Sequence, residues 1–436
     1  MQKKSIMKKI TKFIALMMVG SVIPAITHAG LTKPEESIRD YIVQNEKAQI
    51  ALLEKLVLIN SGTTNIHGVK KVGALMQKEF AKLGFKTHWA NEPTSMHRAG
   101  TLIAESKNKT GKPILLIGHL DTVFASDSPF QKIKHKKASI QGPGVIDDKG
   151  GLVVMLYALK ALNAIHALDN KNITIVLTGD EEESGKPTSI SRKPLIDAAM
   201  GKQVALDFEP GMTQDTLSIA RRGISNWEIK SYGNEAHSAT LNSPDVGAGA
   251  AYELARILQA FQLHFSNEKY LTVNPGRIAA GNLITDDEAH FKTQVTGKEN
   301  VVAKMAIAHG DVRYLTNEQK EKFKQKAEMI TGGHLSGTHS TITFVDGIPA
   351  MSPTDKNMQM LNQYSDVSAD LNFGKVTALD GGLRGAGDIS YVAGFIPYNL
   401  VGLGPIGSGM HSIIESIEIS SLPMQTQRAA VLIYRL

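Results

Sequence analysis

Three short runs of branched apolar residues, 113–118 (PILLIG), 173–178 (ITIVLT) and 204–208 (VALDF), alternate with helical segments and restrict the fold more than any other feature. Unbroken rather than alternating hydrophobicity marks strands covered on both faces, as in parallel sheets layered between helices. The helical segments carry their own period. Val69, Val72, Leu75, Met76, Phe80 and Leu83 recur at helical spacing, with Gly84 placed to end the helix, and Leu152, Met155, Leu156, Leu159, Leu162 and Ile165 form a second stripe. From about residue 36 to 215 the spacing therefore predicts an α/β layer around a mostly parallel central sheet flanked by helices.

After residue 217 the pattern changes. Residues 224–232 alternate as a strand, 246–261 read as an apolar helix, and strand-like stretches near Leu271 and at 300–315 precede a polar helix (317–330) and a last strand (340–345). That order, β-α-β-β-α-β, predicts a smaller α+β unit inserted at 218–349, with 30–217 and 350–436 forming one larger domain that a helix near 424–434 completes. Two domains suit 436 residues, since one hydrophobic core rarely serves so long a chain.

The first 29 residues have another purpose. Lys3, Lys4, Lys8, Lys9 and Lys12 precede an apolar run at 13–26, and Thr27-His28-Ala29 offers small residues where a signal peptidase reads. The run is broken by Gly20 and Pro24 and is shorter than the ~20 residues that span a bilayer, so the expectation is a cleaved secretory signal with no stable membrane anchor after processing. The exported product would be periplasmic or extracellular. The formal net charge is +6, and five of those positive charges sit in the leader, leaving +1 for the remainder. A nucleic-acid partner has no electrostatic support in such a chain. Cysteine is absent, which excludes disulfides, thiolate metal ligands, a Cys nucleophile and a Cys-linked lipid.

Chemistry concentrates just after the apolar strands, where open α/β sheets place their ligand crevice. GHLDT (118–122) ends the first; residues two apart on a strand share a face, so Asp121 can accept the second ring N–H of His119 and fix its tautomer. GPGVIDDKGG (142–151) presents the adjacent carboxylates Asp147 and Asp148 before a helix, where capping accounts for one of them. Glu181 and Glu182 lie in GDEEESG (179–185) after the second strand, and Glu209 lies in DFEP (207–210) after the third. A fifth feature is His411 in the glycine-bracketed GSGMHS (407–412). So many like charges at one sheet edge are costly unless divalent cations lie among them.

These motifs, in this order and approximate spacing over nearly the whole chain after the leader, resemble the zinc aminoacylase/carboxypeptidase family, and in particular the bacterial glutamate carboxypeptidases of the carboxypeptidase G type. The resemblance implies two zinc ions per chain. His119, Asp147 and Glu209 would hold one, Asp147, Glu182 and His411 the other, with Asp147 bridging. It also implies a cis peptide bond at Asp147-Asp148 and Glu181 as the general base, which takes a proton from the attacking water and hands it to the departing amine.

The inserted unit, on the same resemblance, is a lid and dimerisation domain. His237 in NEAHS (234–238) resembles a histidine that stabilises the oxyanion in the other subunit, which implies a homodimer. Arg313 in GDVR (310–313) resembles the lid arginine that grips a substrate carboxylate, and Arg384 is a second candidate. Asn300 is a third substrate-binding candidate, although it departs from the family's Asn-x-x-Pro turn, because Ala303 stands where proline is usual. The expected enzyme is a dizinc carboxypeptidase that releases C-terminal Glu or other acidic residues from small peptides or N-acyl, folate-like substrates. An aminoacylase or a di- or tripeptidase of the same fold is the alternative, and a non-catalytic exported binding protein a remote one.

Overall fold

A computed structural model describes residues 30–436, so the expected leader, residues 1–29, lies outside the described residues. Helix α1 (Lys33–Gln44) begins where Glu35 accepts the backbone N–H of Thr32 at 2.8 Å, and α2 (Glu46–Val57) follows directly. Helix α3 (Ile66–Lys82) buries Val69, Val72, Met76 and Phe80 and stops where Gly84 adopts a φ of 86°, as the spacing predicts. Strands β1 (Lys86–Ala90), β2 (Thr101–Glu105), β3 (Pro113–His119), β4 (Asn172–Thr178) and β5 (Val204–Asp207) come next, with α4 (Lys149–Ala164) between β3 and β4. The sequence shows α4 as one apolar stripe, but the helix is buried on nearly every side. Strand β3 lies against one flank while α1, α2 and the C-terminal helix pack on it as well, which removes the solvent face that a stripe would leave.

The inserted segment runs β6 (Gly223–Gly233), α5 (Gly249–Phe265), β7 (Thr272–Gly281), β8 (Leu283–Asp287), β9 (Lys292–Thr296), β10 (Met305–Tyr314), α6 (Asn317–Gly332) and β11 (Thr338–Asp346). Strands β7, β10, β6 and β11 form an antiparallel sheet in that order. Both helices cover one face of it, with Trp227, Ile229, Leu254, Phe261 and Phe323 in a core of their own. The β8–β9 hairpin is an addition that the predicted six-element order lacks. Residues 300–304 are also not strand. Val301 instead bridges His237, and the Val302 N–H donates to Ala236 O at 2.8 Å, so the apolar pair at 301–302 anchors the loop after β6.

The chain then returns through α7 (Asp355–Asp370), β12 (Tyr398–Val401) and α8 (Ser421–Arg435). Strand β12 closes the first sheet in the order β1-β2-β4-β3-β5-β12. Strands β4, β3, β5 and β12 are mutually parallel and β2 runs against them. The carboxyl ends of β4, β3 and β5 therefore lie side by side, and every acidic or histidine motif that follows a strand emerges at one edge. Among the described residues no helix is long and apolar enough to cross a membrane.

Candidate metal centre

His119 is the last residue of β3. Its Nδ1 lies 3.2 Å from Asp121 Oδ1, the pairing expected from the sequence although Asp121 lies just past the strand end, and an Nδ1–H donated there leaves the Nε2 lone pair facing the crevice. Nε2 lies 3.0 Å from Asp147 Oδ1 and 3.8 Å from Glu209 Oε1. On the other side of Asp147, Oδ2 is 3.1 Å from His411 Nε2, which is 3.3 Å from Glu182 Oε2. Two triads thus form, His119–Asp147–Glu209 and Asp147–Glu182–His411, each with its ligand atoms within 4.8 Å of one another, and they share one carboxylate. Bonds of 2.0–2.1 Å in tetrahedral coordination place zinc ligand atoms roughly 3.3 Å apart, and these separations bracket that value.

Contacts from behind position His119, Glu209 and the loops that carry Asp147 and Glu182. Glu209 Oε2 takes Arg384 Nη2 at 2.8 Å and Arg221 Nη1 at 3.1 Å, which leaves Oε1 to the triad. The Asp121 carboxylate accepts the Thr63 hydroxyl at 2.7 Å and the backbone N–H groups of Glu181 and Glu182 at 3.1 and 3.2 Å, so one buried group orients ligands of both triads. Glu415 accepts the N–H groups of Ile146, Asp147 and Gly144 at 2.9, 3.3 and 3.3 Å and holds the loop that carries Asp147. The Asp147-Asp148 peptide is cis, as the resemblance implies. Asp148 does not cap α4 with its side chain; its Oδ2 accepts the His119 N–H at 3.2 Å instead.

Buried like charges crowd the site. Burial, reinforced by the charge of Glu209, pushes the Glu181 carboxyl well above the ordinary range. Burial and the neighbouring Asp147 push Glu182 up to about 10, and burial with Glu209 raises Asp207 to about 8. Asp147 runs the other way: burial opposes its charge, but hydrogen bonds from His119 and His411 hold it well below the usual carboxylate range. Glu182 Oε1 is buried with no hydrogen-bond partner. A pair of divalent cations would neutralise this crowding and give that oxygen a partner, so the donor set fits the two ions that the sequence implies.

The remaining predicted residues fall into two places. His237 and Asn300 are neighbours on the surface of the inserted unit: Ser238 N–H donates to Asn300 O at 2.9 Å, and His237 Nδ1 accepts the Ala239 N–H at 3.2 Å. Arg313, partly exposed on β10, pairs with Asp311 at 2.9 Å. Arg384 is not an open substrate fork. It is buried, with one nitrogen on Glu209 and another donating to Pro210 O at 3.0 Å, so its place is behind a metal ligand.

Arg221, Glu415, Arg192 and Asp388 are support residues that do not figure among the candidates expected from the sequence. Arg192 binds Asp180 Oδ1 at 2.6 Å, Asp388 Oδ1 at 2.7 Å and Ser184 Oγ at 2.8 Å, clamping the loop that carries Glu181 and Glu182. Asp388 also accepts the Thr178 hydroxyl at the end of β4. Asp388 has a visible signal in its glycine-flanked position after Arg384; Arg192, in a polar segment, has none. Arg192→Ala leaves Asp180 and Asp388 buried without their cation and is expected to cost about 3–5 kcal/mol, read as a lower denaturation midpoint.

Overlapping His/carboxylate triads with a further buried carboxylate, Glu181, beside Glu209 are the equipment of a metal-dependent hydrolase. The family follows from the chain itself: the model of peptidase family M20/M25/M40 matches residues 115–435, and the protein belongs to that family. It is 27% identical over 399 residues to carboxypeptidase G2 of Pseudomonas sp. (strain RS-16), covering 89% of each chain. Among solved structures it is similar to the aminopeptidase PepT of Bacillus cereus, with a TM-score of 0.71, 18% identity and coverage of 90% of this chain and 99% of that one. It is also similar to the Bacillus subtilis YXEP protein, described as a dinuclear metal-binding peptidase, with a TM-score of 0.62, 15% identity and coverage of 90% and 98%.

Proposed function

We propose that this protein is an exported dizinc carboxypeptidase that releases C-terminal glutamate or other acidic residues from small peptides or N-acyl, folate-like substrates. The observation that carries the hydrolytic part is the Asp147 carboxylate shared between two triads, with Glu181 buried beside Glu209 and His119 at the same sheet edge. Zinc suits the neutral imidazole and carboxylate donors, and when bound it supplies polarisation of the scissile carbonyl and a more acidic water. Glu181, buried beside Glu209, would take a proton from the attacking water and return it to the leaving amine, its raised carboxyl being brought down by any divalent cations that the two triads hold. Asp121 and Arg192 hold that loop in register while the proton moves.

Two features support the carboxypeptidase reading: the similarity to carboxypeptidase G2, and the partly exposed Arg313 guanidinium, whose planar fork suits a substrate carboxylate. The surface position of His237 is compatible with a role in the partner subunit of a homodimer joined through the inserted unit. A second reading, an amino- or tripeptidase, is favoured by the similarity to PepT. Side-chain preference separates them. Arg313→Ala is expected to raise KM for an N-acyl glutamate by on the order of 10- to 100-fold, the loss of one hydrogen bond to a charged group, with kcat little changed. Unchanged KM, or faster turnover of tripeptides than of N-acyl glutamate, would favour the second reading.

A further inference from the structure

A third group of metal-binding side chains lies in the inserted unit, formed by Glu228, Asp286 and His309. Glu228 on β6 and His309 on β10 are directly paired across the sheet. Their neighbours Trp227 and Ala308 point into the helix-covered core, so Glu228 and His309 stand on the opposite face, the one the helices leave open. Asp286 comes from the β8–β9 hairpin, where it is the register partner of Thr293, and is carried across that face to meet them.

The ligand atoms converge as they do in the catalytic triads. His309 Nε2 lies 2.9 Å from Asp286 Oδ2 and 3.9 Å from Glu228 Oε2, close to the roughly 3.3 Å expected between ligand atoms of a tetrahedral zinc site. His309 Nε2 is buried and makes no hydrogen bond of acceptable geometry. The other oxygen of each carboxylate is already held: Glu228 Oε1 by Lys230 at 2.7 Å, and Asp286 Oδ1 by the Thr293 hydroxyl at 2.6 Å and Arg277 at 3.5 Å. Outer contacts of that kind aim first ligands at a common point. Each of the three side chains keeps 14–19% of its surface accessible, and Glu228 and His309 line a cavity of about 520 Å³, which gives an ion and its water an entry route.

We propose that Glu228, Asp286 and His309 form a structural site for a divalent transition ion of the zinc type, which clips the β8–β9 hairpin onto the open face of the lid sheet. The site is separate from the catalytic triads and shares no residue with them. The competing arrangement is a plain ion-pair network, in which a protonated His309 bridges the two carboxylates and Lys230 and Arg277 complete the charge balance; it takes up no metal.

The test counts zinc in the full chain after equilibrium dialysis against a buffered free-zinc concentration. The wild type is expected to hold about three ions per chain, and His309→Ala and Asp286→Asn about two, with hydrolysis retained in both. Asp147→Ala distinguishes this site from the catalytic one, because it should lose catalytic zinc and keep the lid ion. Zinc should also slow proteolytic cleavage within residues 283–296 in the wild type and not in Asp286→Asn, a readout that survives if His309→Ala folds poorly. Equal zinc content in wild type and Asp286→Asn, or hairpin cleavage indifferent to zinc in the wild type, would overturn the proposal.

Discussion

Asp147→Ala is expected to empty both halves of the catalytic metal centre at once, lowering the metal content by about two ions per chain and taking hydrolysis to background. Asp147 is the member common to both triads, with one oxygen 3.0 Å from His119 and the other 3.1 Å from His411. Removing it leaves two ligands in each triad, below the three protein ligands that a catalytic zinc site keeps. Loss of Glu209 or His411 alone should be milder in count, because each belongs to one triad. Elemental analysis of the purified variants reads this directly. A variant that lost one ion and kept the other would show that the two sites do not depend on a shared carboxylate.

Glu181→Gln is expected to lower kcat by on the order of 10²- to 10⁴-fold while metal content stays that of the wild type. Glutamine keeps the volume and the polar head but cannot hold the travelling proton. Glu181 belongs to neither triad, so no metal ligand is lost. Its backbone N–H still donates to Asp121, and Arg192 still ties the loop to Asp388, so the change should be chemical and not conformational. Zinc loss alongside the fall in kcat would recast Glu181 as a ligand, and retained activity would remove it from the proton path.

Much of this arrangement is legible in the amino-acid sequence, for physical reasons that differ between residues. Strands β3, β4 and β5 announce themselves because burial on both faces demands continuous apolar runs, and a residue that follows such a run must emerge at the sheet edge, which is how His119, Glu182 and Glu209 can be placed. Asp121 is legible from its place two residues after His119, although it lies just past the end of the strand. Arg384, Arg221 and Arg192 are not, because an arginine that supports a carboxylate from behind and one that grips a substrate look alike until burial is known. The hairpin at 283–296 also escapes: its alternation merges with that of the strands on either side, and no local signal says that it folds across the sheet. The Glu228–Asp286–His309 group is hidden for the same reason, since its members lie far apart in sequence and meet only through strand pairing and that hairpin.

On the proposed function, a metal centre at the carboxyl edge of the sheet cleaves the amide next to a free C-terminal carboxylate. This is tested most directly by kcat/KM for one short peptide ending in glutamate, prepared as the free acid and as the C-terminal amide, before chelation, after chelation and after zinc is restored. The free acid is expected to be cleaved rapidly with release of glutamate and the amide little or not at all, with complete loss of activity on chelation and recovery with zinc. Equal cleavage of both peptides, or cleavage that survives chelation, would contradict it.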